Sequence, residues 1–446
     1  MDNEKKPGIS RRRFMKQATL AAGGGMLLSS IPLGGVYAAG SDTIRVGVIG
    51  CGGRGTGAAH QALQADEGVK IVALADAFED RLQQCYSNLN ERYGESGRLD
   101  VPAEMRFTGF DGYKHVIDAS DVVILATPPG FRPLHFEYAV NAGKHVFMEK
   151  PVATDIPGVK RIMEAAKVAK QKRLNVVVGL QRHYQNNYRE IVKRLNNGDM
   201  GQIISGQVYW NSSGVWVRER QPGQSELEYQ MRNWYYFNWL CGDHILEQHI
   251  HNIDVANWFI GQYPVVAQGM GGREVRKGKD HGQIFDHHFV EFTYPEGQVI
   301  ASQCRHQPNT MSRVDEVFQT TEGTVYTNGN GEANLKSWAG RTIYEHNGMQ
   351  DPNPYQQEHD ELFASIRAGN VIDDTEMGYE STLAAIMGRT ATYTGQVITR
   401  EDMLKSTEVL VPDTMTWDSV PPVLPDENGN YPVPVPGVTR LDIPQV

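Results

Sequence analysis

Three side chains spaced four residues apart carry the most chemistry in this sequence. Asp243, Glu247 and His251 lie in the run from Gly242 to Asp254. On one continuous helix, positions i, i+4 and i+8 share a side. A carboxylate one turn from an imidazole orients the ring and stabilises its protonated form, so Glu247 and His251 read as an acid/base unit. Ile245, Ile253 and Trp258 suit packing on the other sides. Lys150 is the second reactive group. It follows the apolar run His145–Met148 in Glu149-Lys150-Pro151. A lysine at a strand end is most often solvated surface; the Glu-Lys-Pro context singles this one out.

A metal is the competing chemistry. His244, His249 and His251 with Glu247 offer ligand atoms. Positions 244, 249 and 251 do not share one helical face, so a single helix does not converge them, and no metal is expected. His287 and His288 are sent to opposite faces by strand alternation.

The elements that must place these groups begin with a glycine turn. Thr43–Gly50 reads as a strand, Gly53–Ala65 as a helix and Val69–Asp76 as a second strand ending in an acid. Gly50-Cys51-Gly52-Gly53-Arg54-Gly55 stands between the first two. This is the strand–glycine turn–helix–strand–acid order of a dinucleotide site. Gly50 allows the tight turn, Gly52 the approach of a pyrophosphate, and Gly55 close packing of the helix. Gly53 and Arg54 complete the turn, with the helix N-terminus facing the anion. The Asp76 carboxylate suits ribose hydroxyls and repels a 2′-phosphate, so NAD is expected over NADP. Two further strands, Val122–Thr127 and His145–Met148, place Thr127, Pro128, Glu149 and Lys150 at strand ends, where ligands of such sheets bind.

With these residues stated, the chain resembles the glucose–fructose oxidoreductase, inositol dehydrogenase and rhizopine-catabolism (Gfo/Idh/MocA) family over roughly residues 43–400. The glycine turn, Ala126-Thr127-Pro128-Pro129, the Ala142–Pro151 segment and the Glu247/His251 pair carry the resemblance. It implies an N-terminal doubly wound Rossmann sheet and a C-terminal α+β domain with an open, mostly antiparallel sheet that often forms oligomer contacts. It also implies that Lys150 hydrogen-bonds a substrate hydroxyl or sits near the nicotinamide, and that His251 is the acid/base. The family usually has Asp where this chain has Glu247.

The second half agrees in pattern. Gln202–Trp210, Phe289–Tyr294, Gln298–Cys304, Val314–Thr320 and Thr324–Thr327 read as strands joined partly by hairpin turns. Arg182 and Tyr184 follow a last buried strand, as pocket residues or as packing beneath the sheet. Trp234 and Tyr236, beside Arg232 and Asn233, suit a sugar's C–H faces and hydroxyls, or equally a lid or subunit contact. The expected domains are 39–155 for NAD, 156–410 for substrate and oligomer contacts, and a proline-rich arm over 411–446.

The first 38 residues read as an export signal. Ser10-Arg11-Arg12-Arg13-Phe14-Met15-Lys16 has twin-arginine form, a short apolar run follows, and Val36–Ala39 offers small residues for cleavage. An uncleaved anchor or a disordered tail is the alternative. The formal charge is −10, and loss of residues 1–38 makes it four units more negative. Nucleic acid and anionic membrane are therefore poor partners. The four cysteines, Cys51, Cys85, Cys241 and Cys304, form no metal-ligand motif or dense disulfide framework. The expectation is an exported, periplasmic NAD enzyme, a dimer or tetramer, that oxidises a sugar or glycoside hydroxyl or hydrolyses a glycoside with no net redox change. A non-catalytic sugar-binding protein is the alternative of another class.

Overall fold

The computed structural model describes residues 42–442. The twin-arginine leader lies outside the described residues. No described helix is long and apolar enough to cross a membrane.

Six short apolar runs build the first sheet: β1 (Ile44–Ile49), β2 (Val69–Asp76), β3 (Arg106–Thr108), β4 (Val122–Leu125), β5 (His145–Met148) and β6 (Val176–Val178). They are parallel, in the order β3-β2-β1-β4-β5-β6. The long, mostly helical crossovers enforce that direction, and helices on both faces bury strands such as Val122–Leu125 completely. The strand that completes this sheet, β6, lies beyond residue 155. The boundary expected there is thus too early, because helix Ile156–Gln171 is still a crossover within the nucleotide domain. Helix Pro354–Ala368 also returns to this domain, inserting Leu362, Phe363 and Ile366 into its core.

The second sheet has nine strands: β7 (Ile203–Ser212), β8 (Val266–Gly272), β9 (His287–Thr293), β10 (Val299–His306), β11 (Arg313–Thr320), β12 (Gly323–Asn328), β13 (Ala333–Ser337), β14 (Thr342–His346) and β15 (Ile398–Thr399). Their order is β14-β13-β12-β11-β7-β10-β9-β8-β15. Every pairing is antiparallel except β7 with β10. Alternation along β9 and β10 sends His288, Val290, Phe292, Ile300 and Cys304 to the covered face. There they meet Ile245, Ile253, Leu383 and Met387 from the site helices and from helix Thr375–Thr394.

One fully buried carboxylate ties this sheet to the site. Glu316 on β11 accepts from Arg182, from Asn252 at 2.6 Å, from Thr327 at 2.7 Å and from Tyr188 at 3.0 Å. Removing one member of a buried pair leaves the other charge without compensation. Glu316→Ala should therefore cost about 3–5 kcal/mol. Urea unfolding of the variant checks this; an unchanged midpoint would contradict it.

Candidate active site

The glycine turn is built as its sequence demands. Gly50 has φ +94°, and a Cβ there would lie 2.6 Å from the Ala126 carbonyl carbon. At Gly55 a Cβ would fall 1.8 Å from the Gly50 carbonyl oxygen, so helix Gly53–Ala65 starts in direct backbone contact with the end of β1. Gly52 and Gly53 instead face open space. No side chain caps this helix, which leaves its first N–H groups free for an anion. A cavity of about 420 Å³ opens from the turn, bordered by Gly50, Gly52, Gly53, Asp76, Thr127 and Pro128. These features fit a dinucleotide.

Asp76 closes the second strand of the motif. Its carboxylate accepts from the Cys51 N–H at 2.7 Å and the Phe78 N–H at 2.9 Å. Burial pushes its pKa up, and those two bonds oppose the rise. Each oxygen keeps lone-pair capacity for a ribose hydroxyl.

Arg54 and Glu149 are placed differently from the expectation. Arg54 borders the cavity, but its guanidinium is bonded to Glu149 and to Gln61 at 2.7 Å, with Glu358 at 3.7 Å. Arg54 and Glu149 are thus paired with each other beside the turn, since a guanidinium partly out of water takes the nearest carboxylate. Glu358 is fully buried without a hydrogen bond, and desolvation holds its pKa well above the usual carboxylate range.

Lys150 and Glu247 meet. The ammonium donates to the Glu247 carbonyl oxygen and lies 3.3 Å from Oε1. Burial raises the pKa of Glu247, opposed chiefly by Lys150. Arg132, itself buried, fixes the approach of this lysine: it donates to the carbonyl oxygens of Pro151 and Thr127, stapling the ends of β4 and β5 together.

The single helix expected through Asp243, Glu247 and His251 is not formed. Asp243 has φ +77° and caps a short helix, His244–Glu247; a turn at Gln248 and His249 interrupts the helical hydrogen-bonding pattern before helix Ile250–Ile260 begins. Glu247 therefore serves Lys150, and no hydrogen bond joins it to His251 among the described residues. Asp243 is a hub instead. It accepts from the Phe285 N–H at 2.9 Å and from the Tyr393 hydroxyl, and lies 2.8 Å from His244 Nδ1 and 3.3 Å from His288 Nε2. Asp243, His244 and His288 hold ligand-type atoms within 4.8 Å of one another. The amide and hydroxyl donors on the carboxylate make Asp243 a hydrogen-bonded hub.

His251 is 6% exposed. Burial first, then the charges of Lys150 and Arg182, hold its pKa well below the ordinary histidine value, so the ring is neutral at neutral pH. The Trp210 ring lies nearly parallel to it, with centroids 5.9 Å apart. Trp210 lies on β7, on the same side as Val208, and its place beside the site had no signal in the sequence beyond its aromatic neighbourhood.

The remaining expected residues divide. Trp234 borders the nucleotide cavity. Tyr236 packs in an aromatic core with Phe237 and Trp239, because its ring is buried among apolar neighbours. Arg182 donates through one terminal nitrogen to Glu316, while its buried Nε has no hydrogen-bond partner. The Tyr184 hydroxyl donates to Asp374 at 2.6 Å, beneath the first sheet, and the ring belongs to that domain's core. Sequence reasoning missed Phe78, Phe110 and Phe131, which border the cavity; Phe78, two residues after the acid, was the one within reach of the motif.

A six-stranded parallel sheet of Rossmann type joined to a mostly antiparallel nine-stranded sheet is the architecture of the described residues. The sequence profile of the oxidoreductase family with an NAD-binding Rossmann fold matches residues 44–179. Inositol 2-dehydrogenase 3 of Saccharopolyspora erythraea is 30% identical over 54% of this chain and 61% of its own length. The match thus spans less than two thirds of that relative. Two solved structures share the fold. An aldose-aldose oxidoreductase from Caulobacter crescentus has a TM-score of 0.63 at 16% identity, covering 80% of this chain and 99% of its own. Myo-inositol 2-dehydrogenase from Lactobacillus plantarum has a TM-score of 0.61 at 22% identity, covering 80% and 99%.

Gly55→Ala should abolish NAD binding, because the clash is with backbone. Asp76→Ala should weaken NAD about tenfold or more, as expected for lost bonds to a charged acceptor, and should narrow the preference over NADP. Equilibrium dialysis with both nucleotides checks this; unchanged NAD affinity in Asp76→Ala would remove the ribose role.

Proposed function

We propose that this protein oxidises a secondary hydroxyl of a sugar or glycoside. The observation that carries the reading is a buried His251 within the field of the Lys150 ammonium, which stands at the carboxyl end of β5 as the glycine turn stands at that of β1. The residues bordering the turn and Asp76 would hold NAD, which when bound supplies the acceptor for the carbon-bound hydrogen. His251 takes the hydroxyl proton. Its depressed pKa keeps the ring unprotonated and able to accept. Lys150 donates a hydrogen bond to the substrate oxygen as negative charge builds on it, which lowers the barrier electrostatically. Glu247 holds the ammonium in place. Trp210 offers an apolar face to the C–H side of a sugar ring.

The finer reading is that the protein is exported and carries its nicotinamide cofactor with it. The Ser10–Lys16 motif supports this, since the twin-arginine route takes proteins that fold before export. The open face of the nine-stranded sheet suits self-association as a dimer or tetramer. Replacing Arg11 and Arg12 together by Lys should leave the protein in the cytoplasm; unchanged periplasmic yield would refute export by that route.

The mature protein should convert methyl glycosides to keto-sugars, read by proton NMR without added cofactor. Release of free sugar and methanol would instead identify redox-neutral hydrolysis. His251→Ala should lower turnover about 10²- to 10⁴-fold with NAD content unchanged. Because the folded His251 stays unprotonated as pH falls through the ordinary histidine value of about 6.5, kcat/KM for oxidation should show no loss there that His251→Ala abolishes. A wild-type profile that falls with a midpoint near that value would contradict the base assignment.

A further inference from the structure

The proline-rich arm passes directly behind one end of the nucleotide cavity. Phe78 and Phe110 border that cavity. Trp417 of the arm packs on both, with ring centroids 5.2 Å from Phe78 and 4.9 Å from Phe110. On its other side Phe78 carries Arg232, whose guanidinium lies 4.0 Å from the ring centroid. Arg232 is in turn held by both oxygens of Asp80 at 3.1 Å. Arg232 and Trp234 belong to the segment between β7 and the site helices, and both also border the cavity. The wall on this side is thus a layered stack: arm tryptophan, two phenylalanines, and an arginine from the second domain.

The arm is fastened at several points along its described residues. The Leu410 N–H donates to Asp155 at 2.7 Å, and Arg161 donates to Asp413 at 2.9 Å, both on the nucleotide domain. Gln230, on the short helix that ends at Arg232, donates to the Val423 carbonyl at 2.7 Å. Tyr431 bonds Glu226 on the same helix and meets the Phe237 ring edge-on at 4.9 Å. The Gly437 N–H donates to the Thr394 carbonyl at 2.8 Å. One strap therefore joins the floor of the cavity to the segment that roofs it. Phe78 and Phe110, which border the space a nucleotide would fill, are backed directly by Trp417 of the arm, and Arg232 is held against Phe78.

We propose that the C-terminal arm, through Trp417, is a cofactor-retaining element that slows dissociation of the bound dinucleotide. This rests on the reading of the cavity as an NAD site. It gives a resident cofactor a physical basis, since slow release is set by what must open rather than by added contacts to the ligand.

The test uses the full mature chain loaded with radiolabelled NAD and chased with excess unlabelled NAD. Trp417→Ala should release label at least tenfold faster than wild type. Val420→Ala, at an exposed arm position 69% accessible, should release at the wild-type rate. Trp417→Phe should restore most of the retention. A purely structural role would lower the melting temperature of the nucleotide-free protein without changing the ratio of release rates between Trp417→Ala and Trp417→Phe. Equal release from wild type and Trp417→Ala would overturn the proposal. Should Trp417→Ala fail to fold, Asp413→Asn, which loosens the arm on Arg161, is read in the same chase, and an unchanged rate there again overturns it. Failure of the catalytic reading is separate: a protein that retains NAD but turns over no sugar keeps the strap and loses the reaction.

Discussion

The arrangement depends on satisfying one buried ammonium. Lys150 ends a strand of the first domain, yet its partner is the backbone carbonyl and carboxylate of Glu247 in the second. An ammonium withdrawn from water needs such acceptors, and losing them leaves a charge in low dielectric. The two domains are therefore held in the alignment that brings those acceptors to Lys150. Arg132 sets the lysine's approach from the first domain, and the Asp243 hub sets the turn of Glu247 from the second. Several fully buried groups are thus spent on positioning one that reacts.

The bend between Glu247 and His251 follows from the same constraint. A straight helix would have turned Glu247 toward His251 and away from the lysine. The left-handed φ of Asp243 and the break at Gln248 and His249 release it. His251 is then left without a carboxylate, and burial together with the Lys150 charge makes its ring a neutral acceptor. Had Glu247 paired with it, the carboxylate would have raised the ring's pKa and drawn it toward the protonated form. The separation of acid and histidine is what gives each a distinct job.

Much of this was legible from residue pattern. The glycine turn, Asp76 and the succession of strand, helix and strand follow from local rules, because a Rossmann turn is dictated by backbone space within a few residues; Lys150 was singled out by its Glu-Lys-Pro context and the family resemblance. The fate of Arg54, Arg182 and Tyr184 was not, since each is decided by a carboxylate more than ninety residues away in sequence: Glu149, Glu316 and Asp374. Periodicity also misled at Asp243. The spacing i, i+4, i+8 matches one helix, and only the fully bonded environment of the carboxylate shows why the chain leaves helical geometry there.

The cavity wall extends this argument to the chain's end. Proline-rich sequence predicts extension, not destination. Its destination is fixed by side chains that need partners: Trp417 covers two phenylalanines that would otherwise back onto water, and the arm's carbonyls and acids answer Gln230 and Arg161. Apolar cover that is fastened by polar bonds at both ends moves as a unit or not at all, so the energy of opening is that of the strap and not of one side chain. Phe78 sits two residues beyond Asp76, which makes the nucleotide-recognising acid and the retaining wall parts of one short segment. Recognition of the ribose and resistance to its departure thus share the same few residues at the end of β2.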